Sequence, residues 1–229
     1  MKNLKKTLSF ILALVMCMSL CVPAFADGKM SFTAEELQEI VATNKKIDNF
    51  MHSQGITRAG DFCMLNMTVI RQENERYCGP AACCMVANTL NLENLTQEAM
   101  AGRLGTQNGG TSSDQIADTL NDLLKEKGRS DRYQLTKISE SSLIDSALYS
   151  LANGYPVVVN VKEMPRYTVN VGHFIVIRGY YAAAHGDSGV SNFHICDPHY
   201  KYYGPYEYPM ETIVNASKSS MYGKFVRLE

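Results

Sequence analysis

Cys78, His173 and Asp197 carry the side chains in this sequence that could together form a nucleophile, a base and a carboxylate to hold that base. Cys78 stands in the run Q-E-N-E-R-Y-C-G-P-A-A-C-C, residues 72–84. Gly79 leaves room for close approach, and Pro80 suits a first helical turn, where its missing N–H costs nothing. The mostly apolar residues 81–90 then predict a buried helix whose N-terminus faces an opening. A thiol at that end feels the positive pole of the helix dipole, which stabilises thiolate. Read alone, Cys78 has a second meaning as a buried structural cysteine, and Cys83 and Cys84 inside the same helix keep that meaning.

A thiolate nucleophile needs a base or cation beside it. Of the 5 histidines, His52 at the end of an N-terminal helix and His185 in a Gly/Ala-rich loop read as solvated. His173 opens the apolar run Phe174 to Ile177, where a polar ring needs a partner. Alone, it also reads as a satisfied core histidine. Asp197 ends the strand Phe193 to Cys196 and is followed by Pro198; a carboxylate there could orient His173 through its second ring nitrogen. Gln72, upstream of Cys78, brings a neutral amide N–H suited to an oxyanion, although a loop glutamine is ordinarily just solvated. His194, Cys196 and His199 invite a zinc reading. No CxxC pair supplies the remaining ligands, and His194 and Cys196 read as alternate residues of one strand, so no metal is expected.

Taken in order, Gln72, Tyr77-Cys78-Gly79-Pro80-Ala81, Gly172-His173-Phe174 continuing to Tyr180, and Asp197-Pro198 resemble the papain-like cysteine peptidases of family 39. That group includes the peptidases that remove double-glycine leaders from bacteriocins. The resemblance spans residues 62–228 and implies an α+β, papain-like fold: a helical half carrying Cys78, an antiparallel sheet carrying His173 and Asp197, and a cleft between them. It further implies Cys78 as nucleophile, His173 as base and then acid, and Asp197 as the group holding the imidazole. Gln72 and the backbone N–H of Cys78 would form the oxyanion hole, and peptide bonds would be hydrolysed through a thioester acyl-enzyme without cofactor. Leader peptidases of the family sit on an ABC exporter, whereas this sequence opens with an export signal and shows no membrane bundle, so double-glycine specificity is not carried over. The pair Gly109-Gly110 reads simply as a loop. The pattern is also similar to phytochelatin synthase-like enzymes acting on glutathione. Cell-wall peptide hydrolysis is a third enzyme reading. A non-catalytic papain-fold binding module, using Tyr200, Tyr202, Tyr203, Tyr206 and Tyr208 as contact area, is the non-enzyme alternative.

The elements that must position these residues follow from periodicity. Helices are expected near 79–91, 97–104, 113–127 (capped by Thr111, Ser112 or Ser113) and 140–152. Strands are expected at 63–69, with Cys63 on the apolar face, at 157–161, 174–177, 192–196 and 222–228. Pro205 and Pro209 read as strand breakers, and segments 105–112, 163–171 and 182–191 read as the loops that shape the pocket. Helices first and strands second give an α+β layout.

With 229 residues, 45% apolar and no tryptophan, the chain suits one sizeable core. Its 22 basic and 23 acidic groups argue against a nucleic-acid partner, which would need a clustered basic surface. Residues 1–26 read as a signal peptide: Lys2, Lys5 and Lys6, an apolar stretch from Leu8 to Val22, then Ala24-Phe25-Ala26. Cleavage after Ala26 predicts a secreted protein with no membrane span, of open oligomeric state. Residues 27–60 read as an amphipathic helix over 34–52, opened by a capping box at Thr33 and Glu36, and a linker at Gly55 to Gly60. This helix either packs on the back of the domain at 61–229 or covers the cleft as an inhibitory prosegment. Cys63, Cys78, Cys83, Cys84 and Cys196 remain after cleavage, an odd number that leaves at least one thiol unpaired within the chain.

Overall fold

The computed structural model describes residues 62–181, 190–220 and 224–229, all within one compact unit. The signal segment, the 34–52 helix, the 55–60 linker, His52 and His185 lie outside the described residues. In chain order the elements are β1 (Phe62–Met64), α1 (Cys78–Thr89), α2 (Gln97–Leu104), α3 (Ser113–Glu126), β2 (Tyr133–Lys137) and α4 (Glu140–Ala152). Then follow β3 (Val157–Met164), β4 (Tyr167–Tyr181), β5 (Asn192–Asp197), β6 (Gly204–Pro209), α5 (Met210–Lys218) and β7 (Lys224–Leu228). The strands form one antiparallel sheet in the order β2-β7-β3-β4-β5-β6, and β1 pairs with the end of β4 beyond its pairing with β3.

Alternation along the central strands sends side chains to two different cores. Val158, Phe174, Val176, Cys196, Val226 and Leu228 pack against α1, α2 and α3. Val157, Val159, Val161, Ile175, Ile177 and Phe225 pack against α4 and α5. Covering both faces explains why 157–161 is nearly continuous valine rather than alternating. Burying each such side chain contributes about 1.5–3 kcal/mol. The helical half expected from sequence is therefore one of two helical layers: α1 to α3 on one face, α4 and α5 on the other.

Local chemistry sets the helix limits. Thr96 caps α2 by accepting from Ala99 N–H, and Gly105 ends it in the left-handed region at φ 63°. Ser112, among the expected caps of α3, forms a reciprocal capping box with Gln115; Ser139 and Ser142 do the same for α4.

Several expectations are corrected. The strand at 63–69 is only three residues long: Cys63 O comes within 2.4 Å of where a Gly179 Cβ would stand, and after Leu65 N–H donates to Arg178 O the chain leaves the sheet. Pro205 and Pro209 do not break a strand; they lie in β6, which pairs with β5 alone, so an edge position tolerates their missing N–H groups. Segment 163–171 is a tight hairpin between β3 and β4, with Tyr167 opening the second strand. β2 and α5 were not anticipated. No helix among the described residues is long and apolar enough to cross a membrane.

Candidate active site

Cys78 is the first residue of α1, not the residue before it. The helix is buried from Gly79 to Ala87, which fixes its axis against β4, and its N-cap, Tyr77, makes no side-chain capping bond. Helix ends without such a cap leave backbone N–H groups available to another acceptor. Here the acceptor is the thiol: the backbone N–H of Gly79 at the helix end, and that of Phe174 from β4, both interact with Cys78 in the sense that favours thiolate. Gly79 also has to be small, because a Cβ there would stand 2.6 Å from the Thr111 side chain.

His173 lies in β4 and is 3% exposed; Asp197 ends β5 and is 1% exposed. Their side chains meet at 2.8 Å through His173 Nε2 and Asp197 Oδ1. That leaves Nδ1 as the ring nitrogen for Cys78, to which His173 is hydrogen-bonded. Burial pushes the Cys78 thiol up, but the hydrogen bond and charge of His173, with the two backbone N–H groups, outweigh it, and the net shift is downward. Burial pulls His173 down; the hydrogen bonds and charges of Asp197 and Cys78 reverse this and raise it to about 9. The arrangement favours a thiolate–imidazolium pair held between a helix end and a carboxylate.

The other thiols behave oppositely. All five described cysteines are unpaired. Burial pushes Cys83 far up, takes Cys84 and Cys196 to about 11, and raises Cys63 as well.

Asp197 has two further donors that sequence reasoning missed. Tyr167 Oη donates to Asp197 Oδ2 at 2.7 Å, and His199 backbone N–H donates to Oδ1 at 2.8 Å. The Tyr167 ring stands edge-on to His173, with centroids 5.4 Å apart, and stacks on His199 at 4.3 Å. Burial and the neighbouring Asp197 charge push the Tyr167 hydroxyl far upward, so it stays a donor. Burial, with the His173 charge beside it, lowers His199. His199 Nδ1 accepts from the N–H groups of Lys201 and Tyr202, which makes it part of this aromatic wall. Of the three residues weighed as zinc ligands, Cys196 points into the core and His194 packs on Tyr181. Among the described residues no group of three metal-ligating side chains forms. The only sequence cue to His199 was its place after Asp197-Pro198. Tyr167 gave none, because its strand was read as a loop.

Gln72 is 4% exposed. Its backbone N–H donates to Pro198 O at 2.8 Å, tying it to the turn after Asp197, and Gln97 clamps its neighbours by bonding Arg71 O and Glu73 N–H. The Gln72 side chain donates to Asn74 O at 2.7 Å and is not bonded to the thiol. It lines a groove of about 490 Å³ with Arg71, Glu73, Asn74, Glu75 and Tyr200. Glu75 is shared with a second cleft of about 500 Å³ that contains Cys78.

The fold is similar to that of a double glycine motif protease from an AMS/PCAT transporter, solved in complex with its leader peptide, at 16% identity and a TM-score of 0.50; the match covers 72% of this chain and 93% of that one. The peptidase domain of Streptococcus ComA, a bifunctional ABC transporter of a quorum-sensing pathway, matches at 21% identity and a TM-score of 0.46, covering 70% of this chain and 96% of that one. No curated protein matches. The family model described as Peptidase_C39 like family matches residues 64–226, a span that holds Gln72, Cys78, His173 and Asp197. A papain-like α+β fold and a family match over most of the chain agree: the chain belongs to the Peptidase_C39 like family of cysteine peptidases.

Proposed function

We propose that the protein is an exported peptidase in which Cys78 attacks the scissile carbonyl of a peptide. His173 in its imidazolium form protonates the leaving amine, and then, as a neutral base, takes a proton from the water that hydrolyses the thioester. Asp197 keeps the imidazole in register, and Gln72 with the Cys78 backbone N–H receives the oxyanion. The observation that supports this most is the unbroken chain of bonds from the Cys78 thiol through His173 to Asp197, at the one cysteine among the described residues whose ionisation is favoured. Peptide as substrate class draws support from the related protease solved with its leader peptide. Export rests on the sequence of residues 1–26.

The test is hydrolysis of a mixed peptide library, read by mass spectrometry, by the wild type and by Cys78→Ala. New termini produced by the wild type and absent with the variant support the reading. Equal product patterns, or none from a protein whose Cys78 is demonstrably thiolate, contradict peptide hydrolysis.

A further inference from the structure

The cleft of about 500 Å³ beside Cys78 contains a group that the triad does not use. Asn160, on β3, lies on the face that carries Val158, opposite Phe174. Its side chain is 3% exposed, and its Oδ1 is buried with no hydrogen-bond partner among the described residues. A buried carboxamide without a partner is costly, and hydrophobic neighbours would have served the core better. The surrounding backbone makes room for it. A Cβ on Gly172 would stand 2.9 Å from Asn160 Oδ1 and 3.1 Å from Nδ2, so the glycine before His173 leaves the space that this amide occupies.

The rest of the cleft is polar. Its walls carry the charged Glu75 and Arg76 beside Gln107, Asn108, Thr111 and Gln115, with Phe174 as the large apolar surface. The cleft includes Cys78 but not His173, Asp197, Tyr167 or His199. The leaving amine must sit over the His173 imidazole that protonates it, so this cleft takes the acyl side of the substrate.

We propose that Asn160 is a specificity-determining residue: its carboxamide, buried in the wall of the acyl-side cleft, selects a substrate residue with an uncharged hydrogen-bonding side chain, a hydroxyl or carboxamide, over an aliphatic one of similar size. An aliphatic side chain entering there would seal the amide away unpaired, whereas a hydroxyl or carboxamide completes its bonds. The inference rests on Cys78 being the residue that captures the acyl group.

The probes are dipeptidyl chloromethyl ketones with glycine next to the ketone and asparagine, serine, leucine or valine at the preceding position. Each is scored by its rate of Cys78 alkylation relative to iodoacetamide. At pH 9 an ordinary thiol of pKa about 8.5 is also largely ionised, so the ratios are defined whether or not the thiolate–imidazolium pair exists. In the wild type the asparagine or serine reagent should outrun its aliphatic counterpart by about tenfold, the worth of one hydrogen bond. Asn160→Leu should abolish or invert that order, and Asn160→Ser should retain part of it. Equal or faster reaction of the leucine reagent with the wild type overturns the proposal without needing any variant, as does an unchanged order in Asn160→Leu. The iodoacetamide rate at pH 6 reports separately on the thiolate: slow alkylation there speaks against the proposed function, and rapid alkylation without discrimination at pH 9 speaks against Asn160 alone.

Discussion

Cys78 and the pair Cys83 and Cys84 lie on one helix, yet they end in opposite chemistry: Cys78 is half-buried at the helix end, and the other two are fully buried within it. For all three, desolvation is the largest influence and pushes the thiol towards its neutral form. Cys84 acts on Cys83, and Glu73 acts on Cys84, in the same direction as burial, so nothing reverses the push. Cys78 sits at the uncapped helix end, against His173 and two backbone N–H groups, and its shift is downward. Residue type and burial therefore do not make a nucleophile in this fold. The partner brought across from the sheet does, and the partner is held in turn by Asp197.

That contrast breaks most visibly if the wrong thiol carries the reaction. Cys78→Ala should lower peptide turnover by about 10⁴-fold or more, the scale on which removing a nucleophile acts. Cys83→Ala should leave turnover within a few-fold and lower the melting temperature instead, since it opens a cavity in the core between α1 and the sheet. Asp197→Asn removes the carboxylate that fixes the imidazole tautomer and should cost about 10²–10⁴-fold in kcat with little change in KM. Gln72→Ala should cost about 10²–10³-fold in kcat if its amide meets the oxyanion. Loss of less than about threefold would return Gln72 to the structural role that its bonds to Asn74 and Pro198 already give it.

Tyr167→Phe sharpens the comparison at smaller amplitude. It removes one bond to a charged carboxylate, worth about 1.5–3 kcal/mol, and should lower kcat by roughly 10- to 100-fold with the fold intact. The pH profile gives a further check. Turnover should rise as pH climbs through the lowered ionisation of Cys78, hold while His173 keeps its proton, and fall as pH rises through about 9, where His173 loses it. An alkaline limb near the ordinary histidine value of about 6.5 would mean that Asp197 and Cys78 do not hold the proton on His173.

How much of this was legible in the sequence depended on locality. Capping residues and 3.6-residue periodicity lie within one element, so α2, α3 and α4 are found within a residue of their expected limits. The four proposed site residues stood out because each stands in a short run of distinctive neighbours. Elements whose logic is not local were missed or misread. β2 carries only Tyr133 and Leu135 as apolar positions, and its identity comes from pairing with β7 at the far end of the chain. α5 follows directly on the edge strand, so Pro209 looked like a break when it is the N-cap of a helix that buries Met210, Ile213 and Val214. Tyr167 and His199 stack only because a hairpin and a turn distant in sequence converge on Asp197. Asn160, set among valines, reads as one more residue of a β-rich run; nothing local marks a buried amide oxygen without a partner.

The central claim is that His173 converts Cys78, alone among the described thiols, into a thiolate. The most direct test is the pH dependence of alkylation at each cysteine, resolved by mass spectrometry, for the wild type and His173→Ala. The account predicts that wild-type Cys78 reacts well below the ionisation of an ordinary thiol near pH 8.5, while Cys83, Cys84 and Cys196 stay inert, and that His173→Ala returns Cys78 to ordinary behaviour or worse. A wild-type Cys78 that titrates like a free thiol, or a His173→Ala protein that keeps the low-pH reactivity, would contradict it.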